Sequence, residues 1–123
     1  MVTLNFDKLS DKILSVDDTM RYIGIVDEKG NTIYSKMKEG KKSLKSREEE
    51  NKFSAEMHIT RQMQQVFDDS LGKITLTHMT REKLHQLVYY EGNLIIYVTC
   101  ERNVDSHKIA EISEKIEKII KNS

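Results

Sequence analysis

Four histidines and one cysteine are the side chains of this 123-residue sequence best suited to metal binding or nucleophilic chemistry. Histidine pairs that bind metal on a helix are three or four residues apart, and none of these is so spaced: His58, His78, His85 and His107. His78 and His85 lie in strands expected to be neighbours, but we interpret all four as surface or hydrogen-bonded imidazoles. Cys100 lacks an evident histidine and acidic partner, so a small buried hydrophobe is favoured. The sequence predicts no enzyme activity, metal or cofactor.

The five glycines are isolated from one another, so no glycine-rich motif for holding a phosphate group is present. Gly24 lies inside an apolar strand, where the missing side chain lets another part of the molecule approach closely. We expect a helix to pack against Gly24. A ligand approaching the strand at this position is the alternative.

A basic segment covers residues 36–47 around Gly40, and we predict that it is a mobile loop and a candidate partner-binding site. Its members are Lys36, Lys38, Lys41, Lys42, Lys45 and Arg47. The three glutamates at positions 48–50 follow directly and cancel much of this charge within a Debye length. A solvated loop, an acidic protein partner, and a nucleic acid or lipid are the alternatives, in descending order of preference. No aromatic residue alternates with the lysines, as a single-strand binder requires.

The overall charge gives no support to nucleic-acid or membrane binding. Lysine plus arginine equals aspartate plus glutamate at 20 each, so the formal net charge is zero and exerts no general attraction on anionic partners. No apolar run approaches the ~20 residues that cross a bilayer, and residues 1–8 do not resemble a signal peptide. The single cysteine excludes an internal disulfide. These features together predict a cytoplasmic location.

The spacing of apolar residues predicts three helices and five strands in one domain, residues 1–123. The helices are expected at 4–16, from about 46 to 70, and at 105–120. The strands are expected at 20–27, 32–35, 73–78, 84–90 and 94–98. Ser46 and Glu49 form a capping-box pattern at the start of the second helix, and Gly72 is a typical stop. The element order is therefore α-β-β-α-β-β-β-α.

The position of each strand in the sheet follows from its pattern of apolar residues. Strands that are apolar on both faces belong in the centre, whereas alternating strands belong at the edges. The ranges 94–98 and 22–26 are therefore central, and 32–35 and 73–78 are outermost, in the order 2-1-5-4-3. The second helix then crosses the sheet from one edge to the other. We predict an α+β fold with a five-stranded antiparallel sheet, helices 1 and 3 on one face and helix 2 on the other.

This arrangement resembles the roadblock/LC7 family, which is related to the longin and profilin-like folds. The resemblance is carried by the first hairpin, Ile23-Gly24-Ile25-Val26-Asp27-Glu28-Lys29-Gly30-Asn31-Thr32-Ile33, and by the strand Leu94-Ile95-Ile96-Tyr97-Val98 with the helix at 105–120. The family uses the same apolar strand, acidic turn with glycine and short return strand. The resemblance implies a non-catalytic dimer that scaffolds or regulates a small GTPase or similar signalling switch. It also suggests a single-domain member of the kind frequent in archaea.

A homodimer is predicted through the 73–78 edge strand and one face of the second helix. The backbone N–H and C=O groups at the outer side of an edge strand are unpaired and can bind another strand. Lysine or proline usually prevents this, but this edge has no proline and Lys73 is its only lysine. One long helix would cover its sheet face thinly, so its apolar face is either core alone or core plus dimer contact. The predicted interface consists of Phe53, Met57, Thr60, Met63, Phe67, Ile74, Thr75, Leu76 and Thr77.

A PAS-like small-molecule sensor is the alternative to an interaction module. Such domains also have two strands, a helical section and three further strands, but their helical section is usually divided into several short helices. A sensor requires an enclosed apolar pocket between helix and sheet. Binding of a metabolite to such a pocket would raise the melting temperature of the protein.

Overall fold

The protein contains one five-stranded antiparallel sheet in the order β2-β1-β5-β4-β3. The computed structural model describes residues 5–123. The strands are β1 (Met20–Val26), β2 (Thr32–Met37), β3 (Leu76–Thr80), β4 (Leu84–Glu91) and β5 (Leu94–Glu101). The helices are α1 (Phe6–Leu14), α2 (Arg47–Gln64), the one-turn α3 (Asp68–Leu71) and α4 (Ser106–Lys121). The predicted element order, sheet order and α+β class are confirmed; the predicted first residue of the first helix, residue 4, lies outside the described residues.

Burial explains why the sheet has this order. The central strands β1 and β5 and their neighbour β4 carry long runs of buried residues, whereas β2 and β3 alternate between more and less exposed positions. A strand buried on both faces needs a neighbour on each side and cover above and below. The edge positions of β2 and β3 agree with the sequence prediction.

Two apolar clusters lie on opposite faces of the sheet. The first packs α1 and α4 on the sheet through residues that include Leu9, Ile13, Ile23, Ile112 and Ile116. The second lies under α2 and consists of Tyr22, Val26, Phe53, Met57, Val88, Ile95 and Tyr97. The first and last helices therefore share one face, and the crossing helix covers the other, as predicted.

The termini of the helices follow the expected chemistry. Asn5 and Asp105 cap α1 and α4 by accepting backbone N–H groups. At the start of α2, Ser46 Oγ accepts from the Glu49 amide at 3.1 Å, and Glu49 Oε1 accepts from the Ser46 amide at 3.1 Å. This reciprocal pair is the capping box predicted from the sequence.

Several predicted boundaries are wrong. The first helix ends at Leu14 rather than 16, and the strands predicted at 32–35 and 94–98 extend to Met37 and Glu101. The two larger differences concern the second helix and the third strand. The second helix does not run unbroken to residue 70, because α2 ends at Gln64 and a 3-10 turn, Gln65–Phe67, separates it from α3. The third strand is Leu76–Thr80 rather than 73–78. A tight turn in which the Arg81 amide donates to Leu84 O at 2.9 Å extends the ladder to Thr80, and its other end is the pair of Leu76 with Tyr89.

The expectation for Gly24 is also wrong in one respect. The group that approaches Gly24 is the ring of Tyr97, its cross-strand neighbour on β5, rather than a helix. A Cβ atom at position 24 would lie 2.5 Å from Tyr97 Cε1. Glycine is required here because the aromatic ring lies across the backbone of β1.

Candidate interaction surface

The most prominent surface feature is an apolar stripe that begins in the second half of α2 and continues through the 3-10 turn into α3. Its members recur at helical spacing along α2, the 3-10 turn and α3, and each is between 50 % and 80 % exposed: Ile59, Met63, Val66, Phe67 and Leu71. We call these five residues the exposed stripe. A cluster of large apolar side chains in water is typical of a surface that binds another protein.

The predicted helix contacts fall into two groups. Phe53 and Met57 are buried in the cluster under α2, and Thr60 is half-buried. Met63 and Phe67 lie on the surface in the exposed stripe. Ile59, Val66 and Leu71 were not among the predicted contacts, although a helical wheel extended to residue 71 could have found them.

The predicted strand contacts lie at the outer edge of β3. Leu76 and Thr77 belong to the strand, whereas Ile74 and Thr75 precede it and line a groove beside the β4–β5 turn. Hydrogen-bonded and non-hydrogen-bonded pairs alternate along an antiparallel ladder, and Arg81 with Leu84 is a hydrogen-bonded pair. The Thr77 amide therefore points towards β4. The amides that point away from β4 are those of Leu76, His78 and Thr80.

The predicted basic loop is held against the domain at several points. Lys36 belongs to β2, and its ammonium group lies 2.6 Å from Asp11 Oδ1 and 3.1 Å from Asp7 Oδ1. These two carboxylates, Asp11 first, raise the pKa of Lys36. Lys38 donates from Nζ to the carbonyl of Asp17 at 2.9 Å. The first part of the segment is therefore tied to α1 and to the turn that follows it.

Glu101 holds the middle of the basic segment. Its Oε1 lies 2.8 Å from Lys41 Nζ and 3.0 Å from Arg21 Nη1. The hydrogen bond from Lys41, and then that from Arg21, lower the pKa of Glu101, although burial acts in the opposite direction. Arg21 Nη2 also donates to the carbonyl of Lys42 at 2.8 Å. Of the six basic residues, Lys42 and Arg47 have exposed side chains.

Lys45 has an environment that the sequence did not predict. Its Nζ lies over three aromatic rings, 4.3 Å from the centroid of Phe53, 4.9 Å from that of Tyr97 and 5.6 Å from that of Tyr22. Glu50 Oε2 is 3.5 Å from the same nitrogen. The three rings belong to distant parts of the chain, so no local pattern could have indicated this contact. We call the three rings and Glu50 the aromatic cage.

The residues considered for chemistry are placed as follows. His78 and His85 meet across the β3–β4 hairpin, whereas His58 lies on α2 beside Gly30. Cys100 is fully buried, and burial raises the pKa of its thiol to about 12. Over residues 5–123, no group of three or more histidine, cysteine or acidic side chains is arranged to hold a metal ion. No helix within that range is long and apolar enough to span a bilayer.

Comparison with known proteins gives structural neighbours only. No family profile and no curated sequence matches the chain. A roadblock/LC7 domain from Streptomyces avermitilis superposes with a TM-score of 0.68 at 9% identity, covering 94% of this chain and 92% of that one. The gliding protein MglB from Thermus thermophilus gives 0.65 at 12% identity, covering 100% and 96%. A structure described as MglB with tetrameric arrangement gives 0.69 at 10% identity, covering 99% and 94%. The archaeal origin stays a prediction.

Proposed function

The chain has the roadblock/LC7 fold, and we propose that it is a non-catalytic protein-binding module that forms a homodimer and regulates or scaffolds a small GTPase or similar switch. The observation that carries this proposal is the exposed stripe, and the chain that follows it leads into the edge strand β3. Five large apolar side chains on one helical face are costly to leave in water. A second copy of the chain is a partner that is present wherever the chain itself is, and it carries the same apolar side chains.

Two-fold symmetry makes this dimer self-complementary. In an antiparallel contact between two β3 edges, each strand offers the same outward amides, those of Leu76, His78 and Thr80, to its copy. The result would be a continuous ten-stranded sheet. The two α2 helices would then lie on the same side of that sheet, where the exposed stripe of one chain could pack on that of the other. The solved neighbour described as tetrameric supports self-association in this fold.

Light scattering after gel filtration tests the dimer at micromolar concentration. Met63→Glu places a charge in the exposed stripe and should shift the assembly towards monomer. Gln62→Glu adds the same charge at the adjacent exposed position outside the stripe and should leave the dimer intact. A wild-type monomer under these conditions would contradict the proposal.

The strand contact has its own pair of variants. Leu76→Pro removes an outward amide and should weaken the dimer, whereas Leu76→Val keeps that amide and should not. Thr75→Pro is less informative, because Thr75 precedes β3. If Met63→Glu and Leu76→Pro both leave the dimer unchanged, the interface lies elsewhere on the molecule.

The GTPase partner rests on the roadblock/LC7 fold and on what the resemblance to that family implies. Affinity purification from the native organism, with Met63→Glu as the matched bait, is the direct experiment. A nucleotide-binding protein that is recovered with the wild type and whose purified form binds the purified module would support the proposal. A metabolite that raises the melting temperature, with no protein partner recovered, would instead favour the sensor hypothesis.

A further inference from the structure

The aromatic cage is built from three separate elements. Tyr22 comes from β1, Phe53 from α2 and Tyr97 from β5, with Glu50 one turn before Phe53. The Phe53 and Tyr97 ring centroids are 4.6 Å apart, those of Tyr22 and Tyr97 are 5.5 Å apart, and the Tyr97 hydroxyl donates to that of Tyr22 at 3.2 Å. Each ring is at least nine-tenths buried. The walls are therefore held by the packing of the second cluster rather than by the group they surround.

Lys45 occupies the cage, but its ammonium group and Glu50 do not make all the hydrogen bonds that they could. Among the residues that the structure describes, none accepts a hydrogen bond from the buried Lys45 Nζ and none donates one to the buried Glu50 Oε1. Within residues 5–123, the ion pair of Lys45 is the 3.5 Å contact with Glu50 Oε2. A primary ammonium carries three N–H donors, and burying such donors without acceptors is unfavourable. Burial accordingly lowers the pKa of Lys45 despite the glutamate.

An N-methylated ammonium group is better suited to the same place. Its positive charge is attracted by the ring faces and by the carboxylate, and a trimethylammonium group has no N–H donor to leave unpaired. Its methyl groups also gain contact with the rings. The surroundings that are unfavourable for the resident lysine are thus favourable for a methylated cation.

The cage can be reached from the surface. A groove of about 570 Å³ between β2 and the start of α2 is lined by Tyr22, Met37, Ser43, Lys45 and Glu50 among others. Lys45 enters from the chain just before α2, in a short turn where Ser43 Oγ accepts from the Lys45 amide at 3.2 Å. Its neighbour Leu44 is 54% exposed. Withdrawal of Lys45 therefore needs a change in one side chain and its turn, and the walls of the cage can stay in place.

We propose that the cage of Tyr22, Phe53, Tyr97 and Glu50 is a binding site for an N-methylated alkylammonium group, and that Lys45 occupies it until such a group displaces it. Two sources share this chemistry, a free choline-like molecule and a methylated lysine on another protein. The site lies at the start of α2, apart from the exposed stripe at its far end, so the inference does not depend on the proposed dimer.

Titration of ¹⁵N-labelled protein with tetramethylammonium, followed by NMR at constant ionic strength, tests the site. Lys45→Ala removes the resident group and should bind the probe about tenfold more tightly than the wild type. Lys52→Ala removes an exposed lysine from the adjacent turn and should behave as the wild type. Adding Phe53→Leu or Glu50→Gln to Lys45→Ala should weaken binding again by about tenfold.

Neutral and peptide-borne ligands complete the test. Choline should bind Lys45→Ala more tightly than its uncharged isostere 3,3-dimethyl-1-butanol, and equal binding of the two would overturn the proposal. If a trimethyllysine peptide binds more tightly than choline, the ligand is a methylated lysine on another protein. If choline binds more tightly than the peptide, the ligand is a free choline-like molecule. A folded Lys45→Ala that shows no saturable shift with any cation refutes the site. If that variant does not fold, the wild type is titrated with tetramethylammonium and, separately, with sodium. A saturable shift with tetramethylammonium alone supports the site, and its absence refutes the site.

Discussion

His78 Nε2 lies 2.9 Å from His85 Nδ1, so one of these two nitrogens donates a hydrogen bond to the other. The surroundings of His85 decide which of them is the donor. His85 Nε2 is 3.1 Å from the carbonyl of Val104 and 3.2 Å from that of Arg102. Carbonyls only accept, so His85 carries its proton on Nε2 and presents the lone pair of Nδ1 to His78. His78 must then donate from Nε2, and any added proton goes to its Nδ1.

We expect His78 to make the protein less stable as the pH falls below neutrality. Burial, and then the neighbouring His85, lower the pKa of His78 below its usual value of about 6.5. The unfolded chain therefore binds a proton first as the pH falls through 6.5. The stability contributed by neutral His78 is complete above that pH and declines towards the lowered native pKa.

Urea denaturation at pH 7.5, 6.5 and 5.5 measures this effect. In His78→Gln, the loss of unfolding free energy between pH 7.5 and 5.5 should be smaller than in the wild type. His107→Gln, at an exposed position of α4, serves as the control and should keep the wild-type slope. Equal slopes in all three proteins would show that His78 does not titrate differently in the folded state.

Replacing Gly24 with alanine should destabilise the protein by about 2 kcal/mol, because the new methyl group overlaps the Tyr97 ring. The measurement is urea denaturation at neutral pH. In a Tyr97→Leu background the same substitution should cost less, because the ring is gone, and the double-mutant cycle reports the difference. Additive losses would mean that the strain arises elsewhere.

Removing the Ser46 hydroxyl should destabilise the protein by about 1 kcal/mol, because the first turn of α2 loses an acceptor for the Glu49 amide. Ser46→Ala is compared with Ser70→Ala, which changes an exposed serine in α3. Thermal and urea unfolding should detect the first and give little change for the second. A matching response in both variants would argue against the capping box as the cause.

Cys100 should react with a thiol reagent only when the protein opens. The side chain is fully buried, and its raised pKa of about 12 keeps the thiol protonated at neutral pH. Reaction with Ellman's reagent at pH 8 should be slow in buffer and immediate in denaturant. Rapid labelling of the native protein would show that the sheet opens readily around the C-terminal end of β5.

The fold was predictable because the information lies in local patterns. The alternation in β2 and the continuous apolar residues of β1 and β5 indicate how many faces each strand buries, and the Ser46–Glu49 spacing marks the start of α2. The limits of β3 were not predictable, since the alternation that begins at Lys73 breaks at His78 and the paired part depends on the 81–84 turn.

The contacts around Lys45 and Gly24 could not be predicted for a different reason. Lys45 looks like one of six basic residues in a solvated loop, and only the tertiary structure brings it to Tyr22, Phe53 and Tyr97. Gly24 looks like a place for helix packing, because the sequence does not reveal that its cross-strand neighbour is Tyr97. In both cases Tyr97 of β5, which is distant in the chain, takes part in the contact.

The pairing of β1 with β5 also has a consequence for biosynthesis. Ile23 pairs with Val98, about 75 positions later, so this ladder closes a large loop and is expected to form late and slowly. During translation β2 is available to one edge of β1 at once, whereas the other edge waits for residues 94–101 to leave the ribosome. A chain released before that point would carry an apolar strand with an open edge, and such a truncated product should aggregate or be degraded rather than accumulate as a folded fragment.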